Sequence, residues 1–462
     1  MTQNTAKPTS TGSASKRLVT RAVWAAKLRK LAKESSLRGD DPFKDSAVVN
    51  LTPTQLEFVR QDVASPDTSV NTIGGALILD GPTDADALRK AVNIVRKNND
   101  GMRIRFVEMG GTLRQYAAAF TPLTTSLLTF EKESELEAYC DRRMGEPYGE
   151  IKDKDLNSEI DIFQLADGRG GVVLREHHLR QDAAAVGLFV ADVLDVYEQM
   201  KSGHQGYEGA ITSFIEYART AAGVGSIGVG TTDQVDAAST RSTFILSQER
   251  TLQLKRFCQT LGTKSKLRIR PSKVFELANA IYIGIANNRA QKVTLHNLAT
   301  GRKRGTSDDF TIGLFMTSRP VGVFLDWNST VADNLIDAKK RAKGTLGEPP
   351  YVSESDSAYR IDVSFRVNPE GLKSLIKTPF HLYEPPRRYS PVPLFLSIDD
   401  MSETGQYTLM YDYWNSTYTS DQIEDRHATV MKVLDLMMSH PEMTLAELSD
   451  TLGWSDDQAR RD

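Results

Sequence analysis

The stretch 221–240, AAGVGSIGVGTTDQVDAAST, does most to limit what this chain can fold into. Glycine, serine and threonine displace every hydrophobic period there, which marks a connection rather than an element. A similar cycle of strand and helix patterns runs on either side of it. Before it, LTPTQLEFVRQDV (51–63) reads as a helix with Thr and Pro at its N-cap and first turn. A strand in GGALILDG, a helix in PTDADALRKAVNIVRKNN and a strand in MRIRFVEM follow. DIFQLADGRGGVVLREHH reads as a hairpin around Asp-Gly-Arg-Gly, and 182–200 as an apolar helix with Asp182 as N-cap. After the linker, STFILS restarts the cycle. Two helices come next (ERTLQLKRFCQTLG and SKVFELANAIYIGIANN), then strands in KVTLHNL, IGLFMTSRPVGVFL, IDVSFRV, PLFLSID and YTLMYDYW, and a closing helix over 420–438. The pattern predicts an α/β (α+β) protein of two lobes, 48–220 and 241–455, joined by 221–240.

Charge and cysteine content narrow the function. A net charge of −3 gives no global reason to expect nucleic acid as a partner. The two cysteines, Cys140 and Cys258, form no CxxC, which fits a reducing compartment and removes zinc-ribbon and redox readings. No run of about 18 apolar residues suggests a membrane span, and MTQNTAKPTSTGSAS is a poor signal peptide, so a cytoplasmic monomer without stable membrane insertion is expected. Residues 1–47 read as a disordered tail followed by a basic helix. In KRLVTRAVWAAKLRKLAKESSLR, Trp24, Leu28 and Leu31 share one face. That helix either docks on an acidic partner or membrane surface, or packs on the body.

EHHLRQDAAA (176–185) concentrates the chemistry, because it holds two of only seven histidines side by side. Side chains alternate along a strand, so Val172, Leu174, Glu176 and His178 share one face and Val173, Arg175 and His177 the other. Adjacent histidines on opposite faces do not serve one metal, and no HxxxH, HExxH or Cys/His cluster supplies further ligands, so no metal site is expected. Two readings remain open on spacing alone. One histidine acts on a substrate while the other is tied down, or both are satisfied core residues beside a helix-capping aspartate. Asp182 is placed to accept backbone N–H groups or to pair with an arginine, and imidazole suits proton transfer near neutral pH.

HHLRQDA resembles the HHxxxDG signature of the condensation domains of non-ribosomal peptide synthetases, within the chloramphenicol acetyltransferase-like superfamily of acyltransferases. Other segments are similar to further family motifs in the same order. LTPTQ resembles the opening motif, and LDGPTDADALRKAV with KNNDGMRIRF resembles the stretch ending in RHExLRTxF. FILSQERTLQLKRFCQTLG, VTLHNLATGR and IGLFMTSRP resemble second-lobe motifs, the last being IGxFVNT, and YTLMYDYWNSTYTSDQIEDRHATVMKVLDLMM resembles the closing strand and helix. The resemblance covers about residues 48–455. It implies two chloramphenicol acetyltransferase-like lobes in a V-shaped pseudo-dimer, with the active site in a tunnel between them. It further implies an acyltransferase that joins a carrier-bound acyl or aminoacyl thioester to an amine or hydroxyl. Phosphopantetheine would be carried by partner carrier proteins, with no cofactor bound by this chain. His178 corresponds to the catalytic histidine, His177 and Asp182 to structural supports, and Arg103 is the expected salt-bridge partner of Asp182.

Several positions depart from the family pattern. Ala183 replaces the signature glycine and Ala184-Ala185 the usual Trp-Ser, changes expected to crowd the backbone beside the thioester and to empty space by the substrate tunnel. Thr317 and Ser318 stand where Asn-Thr is usual, and Asn98-Asn99-Asp100 replaces the RHE element. TKSKLRIRPSK (263–273) carries five basic residues, read either as a patch for an acidic carrier helix or a pantetheine phosphate, or as a solvated loop. Two alternatives to a condensing enzyme follow. One is a catalytically inactive relative that recruits a partner to a carrier-bound peptide; the other is a coenzyme A-dependent acyltransferase of the same superfamily.

Overall fold

A computed structural model describes residues 45–148, 158–203, 211–221, 236–303, 305–341, 361–366, 378–399 and 405–453. The tail and basic helix expected within 1–47, and most of the 221–240 linker, lie outside the described residues. The chain divides into two compact units. The first comprises Met1–Asp233, Gly301–Phe315 and Pro369–Pro385; the second comprises Gln234–Thr300, Met316–Asn368 and Pro386–Asp462. Two segments that follow the linker in sequence thus belong to the first unit.

The first unit is built on a five-stranded sheet in the order Phe380–Tyr383, Thr72–Leu79, Gly170–His177, Glu159–Leu165, Leu128–Phe130. Neighbours run antiparallel except the last pair. The expected hairpin is present, with Leu174 opposite Ile160 and Gly171 opposite Phe163. Strand alternation sorts the side chains as the pleat requires. Val172 and Leu174 enter a core shared with helices Ala85–Asn98 and Ala183–Lys201, whereas Val173 packs on the other face with Leu136 and Cys140 of helix Glu133–Gly145. A small sheet of Val49–Asn50, Thr112–Ala117 and Ile104–Met109 completes the unit's strands among the described residues.

The second unit has a six-stranded sheet in the order Thr317–Phe324, Lys292–Ala299, Asp362–Arg366, Leu394–Asp399, Thr408–Trp414, Ser239–Ile245. Helix Pro271–Ala286, buried from Val274 onward, and helix Ser420–Ser439 pack their apolar residues with Leu295, Leu396 and Leu409 of that sheet. One strand is shorter than IGLFMTSRPVGVFL suggests, because pairing starts only at Thr317. The backbone before it makes other bonds: Thr311 and Gly313 give their carbonyls to Arg302, and Phe315 gives its N–H to Asp182. Among the described residues no helix is long and apolar enough to cross a membrane.

Candidate active site

The site starts from helix Pro53–Ala64, whose first turn is locked by a capping box. Gln55 N–H donates to Thr52 Oγ1, and Thr52 N–H donates to Gln55 Oε1. Gln55 then reaches across the unit, its Nε2 donating to the Leu179 carbonyl at 3.0 Å and to Gln115 Oε1 at 2.7 Å. Gln55, Phe58 and Asp62 are spaced by three and four residues and so lie on one helix face. That face meets the end of the histidine strand.

The strand ends at His177, and the two histidines part there. His177 Nδ1 accepts the Leu179 N–H at 3.1 Å, which assigns the ring proton to Nε2, 3.3 Å from Asp62 Oδ2. Tyr148 meets the His177 ring edge-on at 5.2 Å, beneath the Arg175 guanidinium 3.8 Å from its own ring centre. Burial pushes the Tyr148 hydroxyl pKa well above its usual value, so it stays protonated beside the ring. His178 lies in the turn just past the strand end. Its N–H donates to the Asn71 carbonyl at 2.7 Å, and its ring stacks on Phe58 with centroids 4.6 Å apart. The Asn71 side chain donates to the Phe58 carbonyl and to Asp62 Oδ1, so one buried asparagine ties both histidines to the same helix.

Asp182 is the N-cap of helix Ala183–Lys201, its Oδ1 accepting the Ala185 N–H at 2.8 Å. Its carboxylate also takes Arg302 Nη1 at 2.8 and 3.0 Å and the Phe315 N–H at 2.9 Å. Arg302 donates its other terminal nitrogen to the Thr311 and Gly313 carbonyls and lies over the Phe315 ring. Arg302 therefore takes the place expected of Arg103. The Arg103 guanidinium instead donates to the carbonyls of Ala118 and Lys97, closing the end of helix Ala85–Asn98. Asp100, in the degraded RHE position, accepts Ser213 Oγ and the N–H groups of Phe214 and Ile215, which caps helix Phe214–Ala221. Burial raises the Asp100 pKa despite those bonds.

The structure thus gathers His177, His178, Asp182 and the Ala183–Ala185 helix start. Ala183 is exposed, Ala184 half-buried and Ala185 wholly buried in the core. Thr317 and Ser318 begin a strand of the second unit, opposite Ala299 and Leu298. Among the described residues no group of three or more His, Cys, Asp or Glu side chains is arranged to hold a metal. Sequence reasoning missed Phe58, Asp62, Asn71 and Arg302. It also missed a completely buried ion pair, Glu176–Arg180, whose signal was two opposite charges four apart in an apolar setting.

Residues 46–224 match the family model described as Condensation domain. A polyketide synthase-nonribosomal peptide synthetase of Aspergillus clavatus is 24% identical over 157 residues, which is 34% of this chain and 4% of that protein. Surfactin synthase subunit 1 of Bacillus subtilis is 19% identical over 441 residues, 86% of this chain and 12% of that protein. The chain therefore spans a small part of the length of these relatives. The solved condensation domain from Monacolin K polyketide synthase MokA matches over 87% of this chain and 99% of its own, with a TM-score of 0.69 at 14% identity, a likeness of fold.

Proposed function

Because residues 46–224 belong to the condensation-domain family and the chain has the condensation-domain fold, we propose that it joins a carrier-bound acyl or aminoacyl thioester to an amine or hydroxyl acceptor. The acceptor nitrogen or oxygen attacks the thioester carbonyl. A C–N or C–O bond forms, the C–S bond breaks, and the proton lost by the acceptor ends on the departing phosphopantetheine thiol. His178 is the group that takes that proton or orients the acceptor, a role for which an imidazole suits neutral pH. His177 and Asp182 hold the turn that presents it.

One observation carries this reading. The His178 ring is held in one orientation by its backbone bond to Asn71 and the Phe58 stack, on a turn that Asp182 and Arg302 brace. A fixed reacting group is what such catalysis requires, since its gain comes from positioning. A basic stretch supports carriers as partners: Lys264, Lys266, Arg268 and Arg270 are exposed beside the end of helix Gln248–Ser265, complementary to an acidic surface. Ala183 in place of glycine favours a second reading, a relative that binds loaded carriers without reacting. Intact-protein mass spectrometry of acyl-loaded carriers, incubated with this protein and amine acceptors, separates the two. Loss of the acyl group with appearance of the coupled product supports condensation; carriers bound but unchanged support recruitment.

A further inference from the structure

We propose that the buried Glu176–Arg180 ion pair is a positioning clamp that folds the chain back across His177 and His178 and so fixes the direction in which the His178 ring is presented. The inference rests on His178 being the reacting group.

Glu176 lies on the strand face that Val172 and Leu174 turn toward an apolar core, and neither it nor Arg180 has any solvent exposure. An isolated carboxylate there would cost several kcal/mol, so Glu176 requires its partner. Arg180 Nε donates to Glu176 Oε2 at 3.0 Å, and Nη2 bonds the same oxygen and Ser158 Oγ. The Arg180 backbone N–H donates to the His177 carbonyl at 2.9 Å. Main chain and side chain of one arginine therefore both return to the strand end, and the histidines lie inside the loop they close. Ser158 in turn donates to the Met102 carbonyl, which anchors the clamp to a second segment of the unit.

Stability alone does not account for the pair. Replacing a buried ion pair with apolar side chains of similar volume is often neutral or stabilising, whereas its directed bonds fix geometry in a way apolar contacts do not. The loop holds only His177, His178 and Leu179, so loosening its closure moves the His178 ring off Phe58.

The test is the double variant Glu176→Leu/Arg180→Met, which removes both charges together, in protein labelled at its histidine rings. In the wild-type protein the stacked Phe58 ring is expected to shift the His178 ring protons upfield through its ring current. The double variant is expected to resist urea at least as well as the wild type and to lose that shift; with a loaded carrier, kcat should fall on the order of 100-fold with KM little changed. A folded double variant that keeps the upfield shift overturns the proposal. If the double variant does not fold, Glu176→Asp keeps both charges while shortening the reach by one methylene; a partial loss of the shift supports the clamp, and an unchanged resonance overturns it. Because the resonance is read without substrate, a wild type that transfers no acyl group would sink the catalytic reading and leave the clamp decided on its own evidence.

Discussion

The phenyl ring of Phe58 lies against the imidazole of His178, with their planes 17° from parallel. Phe58 is almost wholly buried, so its truncation removes both packing and the surface that orients the histidine. Phe58→Ala should destabilise the protein by about 3–5 kcal/mol. Phe58→Leu keeps most of the apolar volume and should cost less than about 1.5 kcal/mol while still releasing the imidazole. Urea unfolding measures the first effect, and the upfield shift of the His178 ring protons reads the second. A leucine variant with that shift intact would mean the stack does not hold the ring.

Asp182 and Arg302 form a pair with side chains 3% and 5% exposed, and each also binds backbone of Phe315 or its neighbours. Removing one partner leaves the other charge buried, so Arg302→Met should destabilise by about 3–5 kcal/mol. Asp182→Asn retains an N-cap oxygen for Ala185 and relieves that charge when combined with Arg302→Met. The double variant should therefore be more stable than Arg302→Met alone. A double-mutant cycle by urea titration checks this, and additive losses would contradict it.

The sequence made this pair only half visible. Asp182 was legible as an N-cap because capping is local, read from a short polar residue before an apolar helix. Its arginine was not, since Arg302 lies 120 residues on and no spacing rule connects the two. The same limit applies to Phe380–Tyr383, a strand that pairs with Thr72–Leu79 from across most of the chain. Alternation in GGVVLREHH accounts for Val172 and Leu174 on one face and Val173 on the other, but His178 lies past the strand end, so the turn and not the pleat separates it from His177. What each ring then meets, Asp62 and Tyr148 or Phe58, was decided by packing and left no pattern.

Gly101 marks a close approach. A β-carbon there would stand 1.9 Å from the Ile312 carbonyl oxygen, within the segment whose flanking carbonyls bind Arg302. Gly101→Ala must push that segment away, so a loss of about 1–3 kcal/mol is expected, together with weaker coupling between Asp182 and Arg302. An alanine variant with wild-type urea midpoint and unchanged cycle energy would show that the segment yields without cost.

His381 provides a pH signature. Its Nδ1 lies 2.6 Å from Asp80 Oδ1 and its Nε2 2.8 Å from Glu133 Oε1, so with both nitrogens facing carboxylates the ring is held as imidazolium. Burial pulls its pKa down, but the bonds to Glu133 and Asp80 more than reverse this, leaving it above the ordinary value of 6.5. A raised folded pKa means the stabilisation is fully present below about pH 6.5 and is lost as pH rises through the folded value. Thermal unfolding between about pH 5 and pH 8 should show this decline, kept small by the ring's partial exposure. His381→Gln should flatten it; an unchanged slope in that variant would assign the effect elsewhere.

His178 is the residue proposed to do the chemistry. Single-turnover transfer from a loaded carrier to an amine, followed for the wild type and for His178→Ala, tests it most directly. The wild type should form coupled product and the alanine variant should react roughly 10²–10⁴-fold more slowly, the value of a positioned proton-transfer group. Transfer by His178→Ala within a few-fold of the wild-type rate would contradict the account.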